Sequence, residues 1–157
     1  MSVTDVLKRR AADLRGRTID AQEAADIAAR LGSGLLPARF LEWLRSHPLV
    51  GTEFSLSEEE DESGLGVDMK WLTPAQMIDE MTETWPGIAA APAGYLAIGS
   101  CLDGSGDYYY LKAGTDDDPP LVRIPHEAVG PDDKLIEDRI QIVSPRLSDF
   151  LRKAEIG

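Results

Sequence analysis

The apolar pattern of this chain changes its period at Pro86-Gly87. Upstream, apolar residues recur at i, i+3, i+4 and i+7. Downstream they gather in short extended runs separated by turn residues. Helices first, strands next and a helix last fit neither a helical bundle nor an alternating β/α sheet, so the expected class is α+β. With 157 residues, 43% hydrophobic and 28% charged, the chain has the length and composition of one globular domain.

The helical half carries its own punctuation. Thr4 can cap a first helix with Val3, Val6, Leu7, Ala11 and Leu14 at helical spacing, and Gly16 is expected to end it. Asp20 and Glu23 form a capping-box pair ahead of Ala24, Ile27, Ala28 and Leu31, and Gly32-Ser33-Gly34 stops that helix. A third helix is expected to start at Pro37, with Leu36, Phe40, Trp43 and Leu44 on one core-facing side, and to end at Pro48. Thr73-Pro74-Ala75-Gln76 is a second capping box, opening a helix through Met77, Ile78 and Met81 towards Trp85.

In the extended half, residues 95–98 and 107–112 read as strands around an Asp103-Gly104-Ser105-Gly106 turn. A turn over 114–120, a strand over 121–124 and a strand over 140–143 complete an antiparallel meander. A helix over 145–154 closes the chain, with Leu147, Phe150, Leu151 and Ala154 on one face. Residues 49–68 have no clear period. The block Glu58, Glu59, Glu60, Asp61 and Glu62 within them is expected to be exposed and mobile.

The formal charge of −12 repels phosphate backbones and anionic lipid, so neither nucleic acid nor a membrane surface is an expected partner; a basic protein is. Residues 1–17 run the other way, with five basic and two acidic side chains. A surface helix with a solvated basic face accounts for this, and docking on a second copy as a homodimer is the alternative. The longest apolar stretch, 88–98, is interrupted by Pro92 and Gly94 and is too short to span a bilayer. Cys101 is the only cysteine, so no intrachain disulfide forms, in keeping with a reducing compartment. A soluble cytoplasmic protein is expected.

Little in the sequence points to catalysis. His47, Cys101 and His126 have no ligand-like spacing, so neither a metal nor a cofactor is expected. The 103–107 turn lacks the acidic positions of a calcium loop, and Gly114 stands where the closing Glu would be. No G-x-S-x-G elbow frames Ser100 or Cys101, and Cys101 with His126 is the only pair worth testing as nucleophile and base. An enzyme is not expected.

Several segments together resemble one family. They are Leu36-Pro37-Ala38-Arg39-Phe40-Leu41-Glu42-Trp43-Leu44, Trp71-Leu72-Thr73-Pro74-Ala75-Gln76-Met77, and Tyr95-Leu96-Ala97-Ile98-Gly99 followed by Asp103-Gly104-Ser105-Gly106-Asp107-Tyr108-Tyr109-Tyr110-Leu111. Residues 121–126 and Leu147-Ser148-Asp149-Phe150-Leu151 follow in the same order. This arrangement resembles the SUKH superfamily, which includes bacterial immunity proteins and a fungal regulator of cell-wall synthesis. The chain departs from the pattern at residues 47–51, where the family has an Asn-Gly element. The resemblance implies a twisted, mainly antiparallel sheet with helices around it, and function through protein binding without shared catalytic residues. It places a SUKH-like α+β domain at 35–157, preceded by an N-terminal helical extension at 1–34.

The expected function is therefore that of an immunity protein that neutralises a cognate toxin by direct binding, the toxin being a basic protein such as a nuclease. A regulatory scaffold with several clients is the alternative. The expected partner-binding residues are Glu58, Glu59, Glu60, Asp61, Glu62, Asp116, Asp117 and Asp118, because both clusters fall in loops.

Overall fold

The computed structural model describes residues 1–114 and 116–157. The elements run α1 (Val3–Arg9), α2 (Ala21–Leu31), α3 (Phe40–Ser46), β1 (Glu53–Leu56), β2 (Val67–Trp71), α4 (Pro74–Glu83), α5 (Gly87–Ala90), β3 (Tyr95–Cys101), β4 (Tyr108–Lys112), β5 (Leu121–Ile124), β6 (Gln141–Ser144), α6 (Leu147–Lys153) and β7 (Glu155–Ile156). The strands form one curled sheet in the order β6-β5-β4-β3-β2-β1-β7, with antiparallel neighbours throughout. Helices pack around it, so the class is α+β as expected. The expected turn at 114–120 includes Thr115, which lies outside the described residues.

Both capping boxes read in the sequence form. Asp20 accepts from the Glu23 N–H at 2.8 Å and Thr73 from the Gln76 N–H at 3.1 Å, each with the reciprocal bond. The first helix differs from expectation. Its cap is Ser2, paired with Asp5 in a third capping box, which leaves Val3 inside the helix with Val6 and Leu7 on the buried face. The helix ends at Arg9, well before Gly16. Gly16 serves a different purpose: its N–H donates to the Pro48 carbonyl at 3.1 Å, and a Cβ there would sit 2.0 Å from the Val50 oxygen. The strand-like bridge between Arg17 and Val50 depends on that close approach. The third helix starts at Phe40 rather than Pro37, because Arg39 adopts a left-handed φ of 66° and Pro37 supplies the carbonyl of the preceding turn. The α4 helix stops at Glu83, short of Trp85.

Residues 49–68 contain β1 and much of the sequence leading into β2. β2 alternates buried Val67, Met69 and Trp71 with exposed Asp68 and Lys70. Phe54 of β1 packs on Trp71 and on Phe150 of α6, with ring centroids 6.4 and 5.7 Å apart. The expected boundary at residue 34 divides no cores. Val3, Val6, Leu7 and Ile27 belong to the same buried cluster as the sheet, α1 packs on α6, and α2 packs on α4. Residues 1–34 are thus built into the domain rather than appended to it. Arg10 carries part of that attachment, donating to the carbonyls of Leu151 and Ala154 at the end of α6. Arg17 pairs with Glu23 through two 2.9 Å hydrogen bonds, while Lys8, Arg9 and Arg15 remain exposed.

Candidate protein-binding surface

The acidic block lies in the β1–β2 loop, residues 57–66. Ser57 organises its first turn, its carbonyl accepting the N–H groups of Glu60 and Asp61 at 3.1 and 3.0 Å. Glu58, Glu59, Glu60 and Glu62 are exposed, as the clustering of like charge requires. Asp61 is not, and it leaves the expected surface: its side chain is wholly buried. One carboxylate oxygen accepts from the N–H and the hydroxyl of Ser63 at 2.8 and 2.7 Å, and the other lies 3.5 Å from Arg123 Nη2.

Arg123, on β5, is the hub of this region. Its guanidinium donates to the Gly66 carbonyl at 2.7 Å, Ser63 Oγ at 2.9 Å, Gln141 Oε1 at 3.1 Å and the Tyr109 hydroxyl at 3.2 Å. Burial opposes its charge, but the hydrogen bond with Tyr109 and the Asp61 carboxylate hold its affinity for the proton above the ordinary value. Burial also pushes the Tyr109 hydroxyl up to about 12. The acidic loop is therefore tied down, not free: a buried cation fastens it to β5 and, through Gln141, to β6. The Glu62 N–H completes the attachment by donating to the Val143 carbonyl of β6 at 2.9 Å.

The second cluster divides in a similar way. Asp116 and Asp117 are exposed, whereas Asp118 is half-buried and engaged. Its carboxylate accepts from the N–H of Ser148 at 2.9 Å and from the Ser148 hydroxyl, while the Pro119 carbonyl takes the Leu147 N–H at 2.8 Å. Arg146 stands at the N-cap of α6 and makes no side-chain cap bond. Asp118 supplies that bond from a neighbouring loop, which is a structural task.

The two loops are anchored to neighbouring parts of the β6–α6 segment. The first is anchored at Val143 and the second at Ser148, five residues apart and so at most about 18 Å along even a fully extended chain. Beside the first anchor lies an open groove of about 630 Å³ lined by Glu62, Ser63, Leu65, Ile140, Gln141, Ile142 and Pro145. Leu65 and Ile142 are 60% and 53% exposed. Sequence reading passed over this feature. The signal was the consecutive pair Ile142-Val143, since neighbouring residues of a strand face opposite ways and only one can enter the core.

Cys101 and His126 do not form a pair. Each is held by a different carboxylate: Cys101 Sγ donates to Asp103 at 2.7 Å, and His126 Nδ1 lies 3.2 Å from Asp107. The thiol's hydrogen bond holds the Asp103 carboxyl below the ordinary range. A further buried acid, Glu80 of α4, went unnoticed in the sequence. Its Oε2 accepts from the Tyr110 hydroxyl at 2.9 Å and the Gly87 N–H at 3.2 Å, and burial raises its carboxyl above the usual value. Gly87 is needed there because a Cβ would meet the Glu80 carbonyl oxygen at 1.8 Å. Among the described residues, no group of three or more His, Cys, Asp and Glu is placed to hold a metal ion, and no helix is long and apolar enough to cross a membrane.

No protein-family model, no curated protein and no solved structure matches the chain.

Proposed function

We propose that this chain is an immunity protein of the SUKH kind that works in the cytoplasm, neutralising a basic protein toxin by direct binding without catalysis. The observation that carries the reading is the pair of exposed acidic clusters, Glu58, Glu59, Glu60 and Glu62 on one loop and Asp116 and Asp117 on the other, anchored at opposite ends of residues 143–148. A pinned, acidic surface steers a basic partner and loses little entropy when it docks. The curled antiparallel sheet with surrounding helices is also the architecture that the family resemblance implies.

The experiment is capture of partners by the tagged chain from native lysate at low and high salt, in parallel with a variant carrying Glu58→Lys, Glu59→Lys, Glu60→Lys, Asp116→Lys and Asp117→Lys. One near-stoichiometric partner, released by salt and lost from the variant, is expected. Equal capture by both proteins would reject the acidic surface, and several substoichiometric partners would point to the scaffold alternative.

A further inference from the structure

The β6 strand closes one end of the sheet, so among the described residues its outer edge has no neighbouring strand. Among the described residues, the one backbone hydrogen bond from outside the sheet to that edge is Glu62 N–H to the Val143 carbonyl. Edge strands are normally blunted by charge or proline, because unpaired backbone groups template the addition of another strand. β6 itself, Gln-Ile-Val-Ser, carries no charge and the nearest proline, Pro145, lies beyond its end; its protection is its four-residue length, the register shift at Val143 and the Glu62 bond, which leave only part of the edge unpaired. Its outward-facing Ile142 forms the floor of the groove with Ile140, Leu65 and Pro145. Arg123 holds the two walls in place, bonding to Ser63 and Gly66 in the loop and to Gln141 on the strand.

Charge chooses between possible occupants. Among the described residues, Glu62 is the only charged one lining the groove, and Glu58, Glu59 and Glu60 lie just upstream on the same loop. A second copy pairing edge to edge would bring these acidic loops together, with −12 on each chain. A segment carrying lysine or arginine meets the opposite field.

We infer that the β6 edge and its apolar groove receive an extended segment of the protein partner, in which basic residues alternate with apolar ones, as an added strand. Backbone pairing to the part of β6 that the Glu62–Val143 bond leaves open supplies affinity, Ile142, Leu65 and Ile140 accept the apolar side chains, and Glu62 accepts a basic one. This rests on the reading that the chain binds a basic protein, and names the part of the surface that does so.

The test uses the full chain and a random twelve-residue peptide library displayed on phage. Enriched peptides are synthesised and titrated while backbone amide shifts are followed by NMR. The inference expects selected sequences with alternating apolar and basic residues, and shifts centred on residues 140–145 and 62–66. Ile142→Lys should weaken binding about tenfold or more, equivalent to about 1.4 kcal/mol. Leu65→Asp serves as a second variant on a different element. N-methylation of alternate peptide bonds on the pairing side should abolish binding, which contacts through side chains alone would not require. Peptides without basic residues, shifts elsewhere, tolerance of the N-methyl groups, or no enrichment at all would overturn the inference. So would a dimer in sedimentation velocity that Ile142→Lys makes monomeric, since that assigns the edge to a second copy. Peptide binding at β6 with no basic partner captured from lysate would sink the immunity reading and spare the groove. Partner capture that is sensitive to loop charge but indifferent to Ile142→Lys would do the reverse.

Discussion

Arg123 and Asp61 are buried together, 62 residues apart in sequence, with Nη2 3.5 Å from Oδ2 and side chains 6% and 0% exposed. The contact joins β5 to the middle of the most acidic loop in the protein. Burying either charge without the other and the surrounding hydrogen bonds would be costly, so the pair acts as a fastener that takes one acid out of the surface to hold four others on it.

Removing one half of that fastener should be costly. Arg123→Met leaves Asp61 buried without its cation and is expected to lower stability by about 3–5 kcal/mol. The double variant Arg123→Met, Asp61→Leu should recover a large part of the loss. Urea denaturation of the three proteins makes the comparison; a double variant no more stable than the single one would contradict the pairing.

Glu80 gives the protein a pH dependence of known sign. Burial raises its carboxyl above the ordinary value of 4.5 in the folded chain. Folding therefore favours the protonated acid: this contribution is complete below 4.5 and is lost as pH rises through the higher folded value. Glu80→Gln keeps an acceptor for Tyr110 and Gly87 while removing the charge. The variant should gain stability relative to the parent as pH is raised from 4 towards 8. Glu80→Ala, which strands the Tyr110 hydroxyl, should lose about 1–3 kcal/mol. Thermal melts across that pH range give both comparisons; a gap between Gln variant and parent that narrows with rising pH would refute the assignment.

Asp118 should separate from its neighbours on mutation. Asp118→Ala removes the cap on Ser148 and is expected to cost about 1 kcal/mol, whereas Asp116→Ala and Asp117→Ala should stay within about 0.5 kcal/mol of the parent. Partner affinity should follow the opposite order. Denaturation midpoints set beside binding constants for the three variants decide the matter, and equal effects on both quantities would undo the distinction.

Gly16 is a packing requirement. Gly16→Ala places a methyl against the Val50 carbonyl and should destabilise by about 1–3 kcal/mol, while Gly34→Ala, with open space around it, should have little effect. Amide exchange at Arg17 and Val50 reports directly: unchanged protection in the Gly16 variant would show that the bridge does not need the glycine.

Local signals decided most of the elements. Reciprocal caps at Asp20/Glu23 and Thr73/Gln76 satisfy their own helix ends within four residues, so they were legible before any tertiary contact was known. The runs that became β3, β4 and β5 were bounded by turns of their own. The short strand β1 was not legible, because it is defined by its pairing partner, whereas the alternation of Val67, Met69 and Trp71 with Asp68 and Lys70 that marks β2 was present in the sequence and passed over beside the acidic loop. The start of α1 was misplaced because Ser2 and Thr4 are both competent caps; burial of Val3 selects Ser2. Charge density, set by composition, was likewise available from the sequence, and with it the exclusion of phosphate-rich partners as an expectation.

What only the tertiary structure decided is which acids face outward and what they surround. Asp61 reads like its neighbours until Arg123 arrives from a strand 62 residues away, and Asp118 reads like Asp117 until Ser148 needs a cap. The pair Ile142-Val143 signals only that one apolar side chain faces outward; the groove that Ile142 and Leu65 line is made by a loop crossing to a sheet edge. Local propensity is carried by a few adjacent residues, whereas a binding surface is a sum over contacts between distant ones, formed only when the sheet curls and the core closes.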